Sequence, residues 1–137
     1  MKGNNISGTA GKPADPSKKK VKEMSIEDVI RTPEFSANLT DKLNSILRLR
    51  SEARISAHKA GTSLKSHPVD RLVNGEMYSA ERFKRTYMEC LNKENKTYSA
   101  SVRYFILSVG NEVFNRTMVK LLDDEKERDK RDGDDKQ

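Results

Sequence analysis

The chain predicts an all-α protein, a small three- to four-helix bundle with a disordered basic N-terminal arm and a charged C-terminal tail. Three observations point there. Apolar residues recur at close to 3.6-residue spacing wherever their spacing is regular, and no strictly alternating run is long enough for a strand. Capping residues, a Pro at a first helical position and Gly at segment ends punctuate the chain at helical intervals. Finally, 137 residues with 34% hydrophobic and 35% charged content, four Tyr, four Phe and no Trp allow one small core. A mean hydropathy of -0.88 leaves part of such a chain without apolar matter to order it.

The unpacked parts fall at the ends. Residues 1–24 hold six Lys against two acids, pass through Gly3, Gly8, Gly11, Pro13 and Pro16, and reach the run Lys18-Lys19-Lys20; they read as a flexible arm. Residues 25–122 hold sixteen basic and eleven acidic side chains and form the helical domain. Residues 123–137 hold five and eight, with no apolar residue, and read as a fraying helix end or a tail.

Ser25 with Asp28 three residues on is a capping-box relative, and Val29 and Ile30 follow it, so a first short helix ends near Arg31. Thr32 then caps a long helix with Pro33 at its first position, where a missing N–H costs nothing, and Gly61 stops it. Phe35, Leu39, Leu43, Ile46, Ala53 and Ala57 form its core stripe. Arg50 lands inside that stripe, which predicts a partner or a bend after Leu49. Ser66-His67-Pro68 opens a short segment with Val69, Leu72 and Val73, closed by Asn74-Gly75.

Ser79 caps the next helix, with Tyr78 and Phe83 placed as a hydrophobic staple and Ala80, Phe83, Tyr87, Cys90 and Leu91 as its apolar arc. Ser99 caps the last helix, about Ala100 to Leu122. Its two apolar arcs, Val102-Phe105-Ile106-Val109-Val113 and Leu107-Phe114-Met118-Leu121, make it the central element. Gly110 inside it costs roughly 1 kcal/mol relative to Ala, which predicts a close helix crossing there.

The chemistry-bearing inventory is poor. His58 and His67 match no metal-ligand spacing, Cys90 sits on an apolar arc as a small hydrophobe, and no phosphate-cradling Gly loop or nucleophile elbow occurs. The sequence therefore predicts no enzyme, no metal and no cofactor. The paired acids Glu27-Asp28 suit a helix N-terminus. A lone Cys and the lack of an apolar leader in residues 1–24 predict a reducing, cytoplasmic setting, in which the Asn-x-Ser/Thr sequons at Asn5, Asn38, Asn95 and Asn115 are chance. The longest apolar run, Tyr104 to Val109, excludes a membrane span.

The cationic residues carry the functional reading. Lys18, Lys19, Lys20 and Lys22 on the arm, with Arg48, Arg50, Arg54, Lys59 and Lys65 on the long helix and its loop, are placed to neutralise phosphates without reading bases. The segment Pro68 to Leu91 has the outline of a helix-turn-helix, but its first element is short and its connection long. Within that outline Arg82, Lys84 and Arg85 would be the DNA-facing side chains. The favoured partner is nucleic acid. A second reading is a protein-interaction module, self-associating through the uncharged strip Tyr104, Ser108, Asn111 and Asn115, and a third is contact of the Lys18–Lys22 cluster with anionic lipid.

Overall fold

The computed structural model describes residues 20–73, 79–94 and 96–135. Five helices follow a 3-10 turn at Val21–Glu23: α1 (Ile26–Ile30), α2 (Pro33–Lys59), α3 (Asp70–Val73), α4 (Ala80–Leu91) and α5 (Ala100–Asp135). The protein is all-α, with three long helices and two short ones, and no strand among the described residues.

The caps form as their residues require. Ser25 Oγ accepts from Asp28 N at 3.1 Å while Ser25 N donates to Asp28 Oδ2 at 3.0 Å, a complete capping box for α1. Thr32 Oγ1 accepts from Phe35 N at 3.2 Å, starting α2, and donates to Val29 O at 2.7 Å, which locks the α1–α2 corner. Ser79 Oγ accepts from Arg82 N at 3.2 Å, and Ser99 Oγ accepts from Val102 N at 3.4 Å. Tyr78 of the expected staple, and Asn74 and Gly75, lie outside the described residues.

The core is one cluster in which Phe35, Leu39 and Leu43 of α2 meet Val69, Leu72, Phe83, Tyr87 and Cys90, and Val102, Ile106, Val109 and Val113 of α5. α5 contacts α1, α2, α4 and the 3-10 turn, so it is the central helix. Asn38 Nδ2 donates to Thr117 Oγ1 at 3.1 Å and Lys42 meets Glu112 at 2.8 Å, so α2 and α5 run antiparallel. Gly110 is the close approach: the Tyr87 ring lies where a Cβ would stand, and Tyr87 Oη donates to Asn111 Oδ1 at 2.6 Å.

Two boundaries differ from the sequence reading. The arm, expected to run through residue 24, is anchored by its last residues, because Val21 is apolar enough to bury (3% exposed) and its N–H donates to Glu125 Oε2 at 2.8 Å. α5, expected to close near Leu122, continues to Asp135. The continuation is supported by the Lys120–Asp124 pair at 3.1 Å, by Glu125 on the 3-10 turn and by Lys20 at 3.9 Å from Asp129.

Candidate nucleic-acid interface

α2 is well buried only through Leu43; beyond it Leu49 and Ile55 are 60% and 53% exposed. The partner that Arg50 demands is the segment 62–73. Arg50 reaches Asp70 with Nε at 3.0 Å from Oδ1 and Nη2 at 3.2 Å from Oδ2, and Nη2 also donates to Lys65 O at 2.7 Å. Arg54 Nη2 adds a bond to Asp70 Oδ1 at 3.0 Å, and His67 N donates to Oδ2 at 2.9 Å. Asp70 is thus a clip that ties the loop back onto α2. Its partial burial raises its pKa, but the hydrogen bonds from Arg50, His67 and Arg54 and the Arg50 charge outweigh that and hold the carboxyl at about 2, below its ordinary 3.8.

Arg50 and Arg54 therefore present to a polyanion only the charge that one shared carboxylate leaves. Arg48, Lys59 and Lys65 are exposed and make no ion pair among the described residues. Over residues 48–70 five basic side chains stand against Glu52 and Asp70. This end of the molecule holds a cleft of about 290 Å³ lined by Arg50, Arg54, His58 and Thr62 among others.

The other sequence-predicted cations lie elsewhere. Lys18 and Lys19 are outside the described residues; Lys20 and Lys22 are exposed, and Lys20 faces Asp129 near the C-terminal end of α5. Lys84 is largely buried, donating to Ser36 Oγ at 3.0 Å and pairing with Glu81 at 2.8 Å, so it fastens α4 to the first turn of α2. Arg82 and Arg85 are exposed on α4. Ser36 and Arg54 are separated by about 27 Å of helix. The described cations named from the sequence are therefore spread over three places, of which the Arg48–Lys65 end is the richest.

Of the helix-turn-helix outline the structure describes two elements, and its connection at 74–78 lies outside the described residues. α3 is a single turn, and α4 spends Phe83, Thr86, Tyr87 and Cys90 on the core.

Neither His sits in a ligand set. His67 Nδ1 accepts from Val69 N at 3.1 Å and its ring meets Phe105 edge-on at 6.1 Å, while His58 is exposed at the end of α2. No group of three or more His, Cys, Asp or Glu able to hold a metal occurs among the described residues. Burial pushes the Cys90 thiol pKa up, with Glu89 adding to it and Arg103 opposing, which keeps the sulfur protonated and unreactive. No helix among the described residues is long and apolar enough to cross a membrane.

Tyr104, Ser108, Asn111 and Asn115 all project from the outer face of α5, Tyr104 at 74% exposure. Sequence reasoning missed Asp70 as the organising acid and Thr117, fully buried and donating to Val113 O at 2.8 Å. The signal for the first was Arg50 itself, since a guanidinium in an apolar stripe requires an acid opposite it. No protein-family model, no curated protein and no solved structure matches this chain.

Proposed function

We propose that this is a non-enzymatic accessory protein that associates with nucleic acid through phosphate contacts at the end of the molecule built by the second half of α2 and the loop after it. The observation that carries the reading is the charge of that end: Arg48 and Lys59 on α2 and Lys65 on the loop after it are exposed, and Arg50 and Arg54 share a single carboxylate. The opposite end is acidic, with eight acidic and four basic residues over 123–135. A polyanion is thus drawn to one end and repelled from the other. No base-reading element accompanies the cations, so binding is governed by counterion release and is indifferent to sequence.

The test is a titration of labelled DNA and RNA fragments at two salt concentrations. Each of the three free cations contributes about 0.9 to the slope of log K against log salt on duplex DNA. The charge reversals Arg48→Glu, Lys59→Glu and Lys65→Glu together abolish binding, while deletion of residues 1–19 has the smaller effect, since Lys20, the residue that follows them, lies 3.9 Å from Asp129 at the acidic end. Absence of binding at low salt overturns the reading.

A further inference from the structure

The outer face of α5 carries a pattern that the nucleic-acid reading does not use. Tyr104, Ser108, Asn111, Asn115, Met118 and Leu122 follow one another at spacings of four and three residues, the a/d seam of a coiled coil, over about 27 Å of helix. The seam contains no charge in a chain that is 35% charged. Five of the six are exposed and Met118 is half-buried, so no element among the described residues covers it. One flank is apolar, with Leu107, Phe114 and Leu121 half-buried, and the other carries Val119 at 60% exposure.

We propose that this face is the interface of a homodimer in which α5 packs antiparallel on α5 of a second copy, with the twofold axis passing at the level of Val113. The seam is symmetric about that level. Antiparallel pairing sets Tyr104 against Leu122 of the second copy, Ser108 against Met118 and Asn111 against Asn115, and returns the same three layers on the other side of the axis, as an isologous interface requires. Asn111 Oδ1 already accepts from Tyr87 Oη, which leaves its Nδ2 to donate to the Asn115 amide oxygen of the second copy. A central amide pair of this kind fixes register at some cost in stability.

Two further features select a second copy over a foreign helix. Beside Tyr104 lies an apolar groove lined by His67, Pro68, Ala100, Ser101, Phe105 and Ser108, at the level and on the side that Val119 of the second copy reaches. The same register brings the acidic stretch that begins at Asp123 to the level of Arg103 on α5 of the other copy and points it toward the cationic end of α2 there, so opposite charges approach at each end of the overlap. Glu112, which approaches its own counterpart across the axis, is already neutralised by Lys42 at 2.8 Å and Arg116 at 3.3 Å. A single helix pair is smaller than a standard interface of about 800 Å² per partner, so the dimer is dynamic and of micromolar strength.

Sedimentation of the full chain over a concentration series tests this. A monomer–dimer equilibrium is expected. Val119→Lys weakens it at least tenfold, while Ile55→Lys, also at an exposed apolar position but on α2, leaves it unchanged; circular dichroism checks that both variants keep their helix content. Register is read by cysteine cross-linking: under mild oxidation Tyr104→Cys mixed with Leu122→Cys gives a covalent dimer, and Tyr104→Cys alone does not, Cys90 being buried. A monomer at hundreds of micromolar, a dimer indifferent to Val119→Lys, or efficient cross-linking of Tyr104→Cys to itself each overturns the proposal.

Discussion

Asp70 shows how one side chain decides the shape of a surface. It collects two guanidinium groups and a backbone N–H, and its carboxyl is held at about 2 against an ordinary 3.8. A depressed carboxylate contributes stability that is present above the ordinary value and is lost as pH falls through the folded one. The clip therefore contributes on the order of 1–2 kcal/mol at neutral pH, discounted for the half-exposed Arg54. Asp70→Asn is expected to lower urea-unfolding stability by about that amount and to flatten its decline between pH 3.8 and about 2. An unchanged acid limb would show that the clip is not coupled to folding. Gly110 is the second decisive residue. An alanine there recovers about 1 kcal/mol of helix propensity but drives its Cβ into the ring of Tyr87, which is 2% exposed and hydrogen-bonded to Asn111. Overpacking of this kind costs about 1–3 kcal/mol, so Gly110→Ala lowers the melting temperature in calorimetry despite its better propensity.

At the scale of elements, α5 joins two different kinds of helix. Through Leu122 it is held by the core; beyond that it is polar on every side and rests on Glu125, which accepts from Val21, and on the Lys20–Asp129 approach. Truncation after Leu122 is expected to release the 3-10 turn and expose Val21, at a cost of up to about 2 kcal/mol, and to speed proteolytic cleavage among Lys20, Lys22 and the residues next to them. Equal cleavage rates in the two forms would mean that the turn holds without the helix. The same element shows what the sequence makes legible. Caps are short-range chemistry, so Ser25, Thr32, Ser79 and Ser99 announce their helices, and the apolar arcs of α4 and α5 name half of the core, Val29, Ile30, Val69, Leu72 and the stripe of α2 naming the rest. The reach of α5 beyond Leu122 depends on Val21, a residue about a hundred positions away, and no local pattern announces that contact. The candidate site was half legible for the same reason. The cations on α2 are visible in the sequence, but which of them are taken, Arg50 and Arg54 by Asp70 and Lys84 by Ser36, depends on tertiary neighbours.

The whole molecule has unlike ends, cationic where α2 runs out and acidic where α5 does. Because α2 and α5 are antiparallel, the two ends of one copy are about 40 Å apart along α5, several times the roughly 8 Å screening length at physiological salt. In an isolated chain the acidic stretch is then invisible to a polyanion at the cationic end. In the antiparallel pair the acidic stretch of one copy comes alongside the cationic end of the other and competes with phosphate for it. The consequence is a concentration-dependent affinity. At physiological ionic strength, deletion of residues 123–137, which removes eight acidic and five basic side chains, changes nucleic-acid affinity less than twofold when protein is dilute, and tightens it severalfold once protein is concentrated enough to dimerise. With Val119→Lys the deletion has no effect at either concentration. The measurement is fluorescence anisotropy of a labelled oligonucleotide against each form. An equal effect of the deletion in the dimeric and Val119→Lys backgrounds would separate the two charge ends and leave the acidic stretch without a regulatory part in polyanion binding.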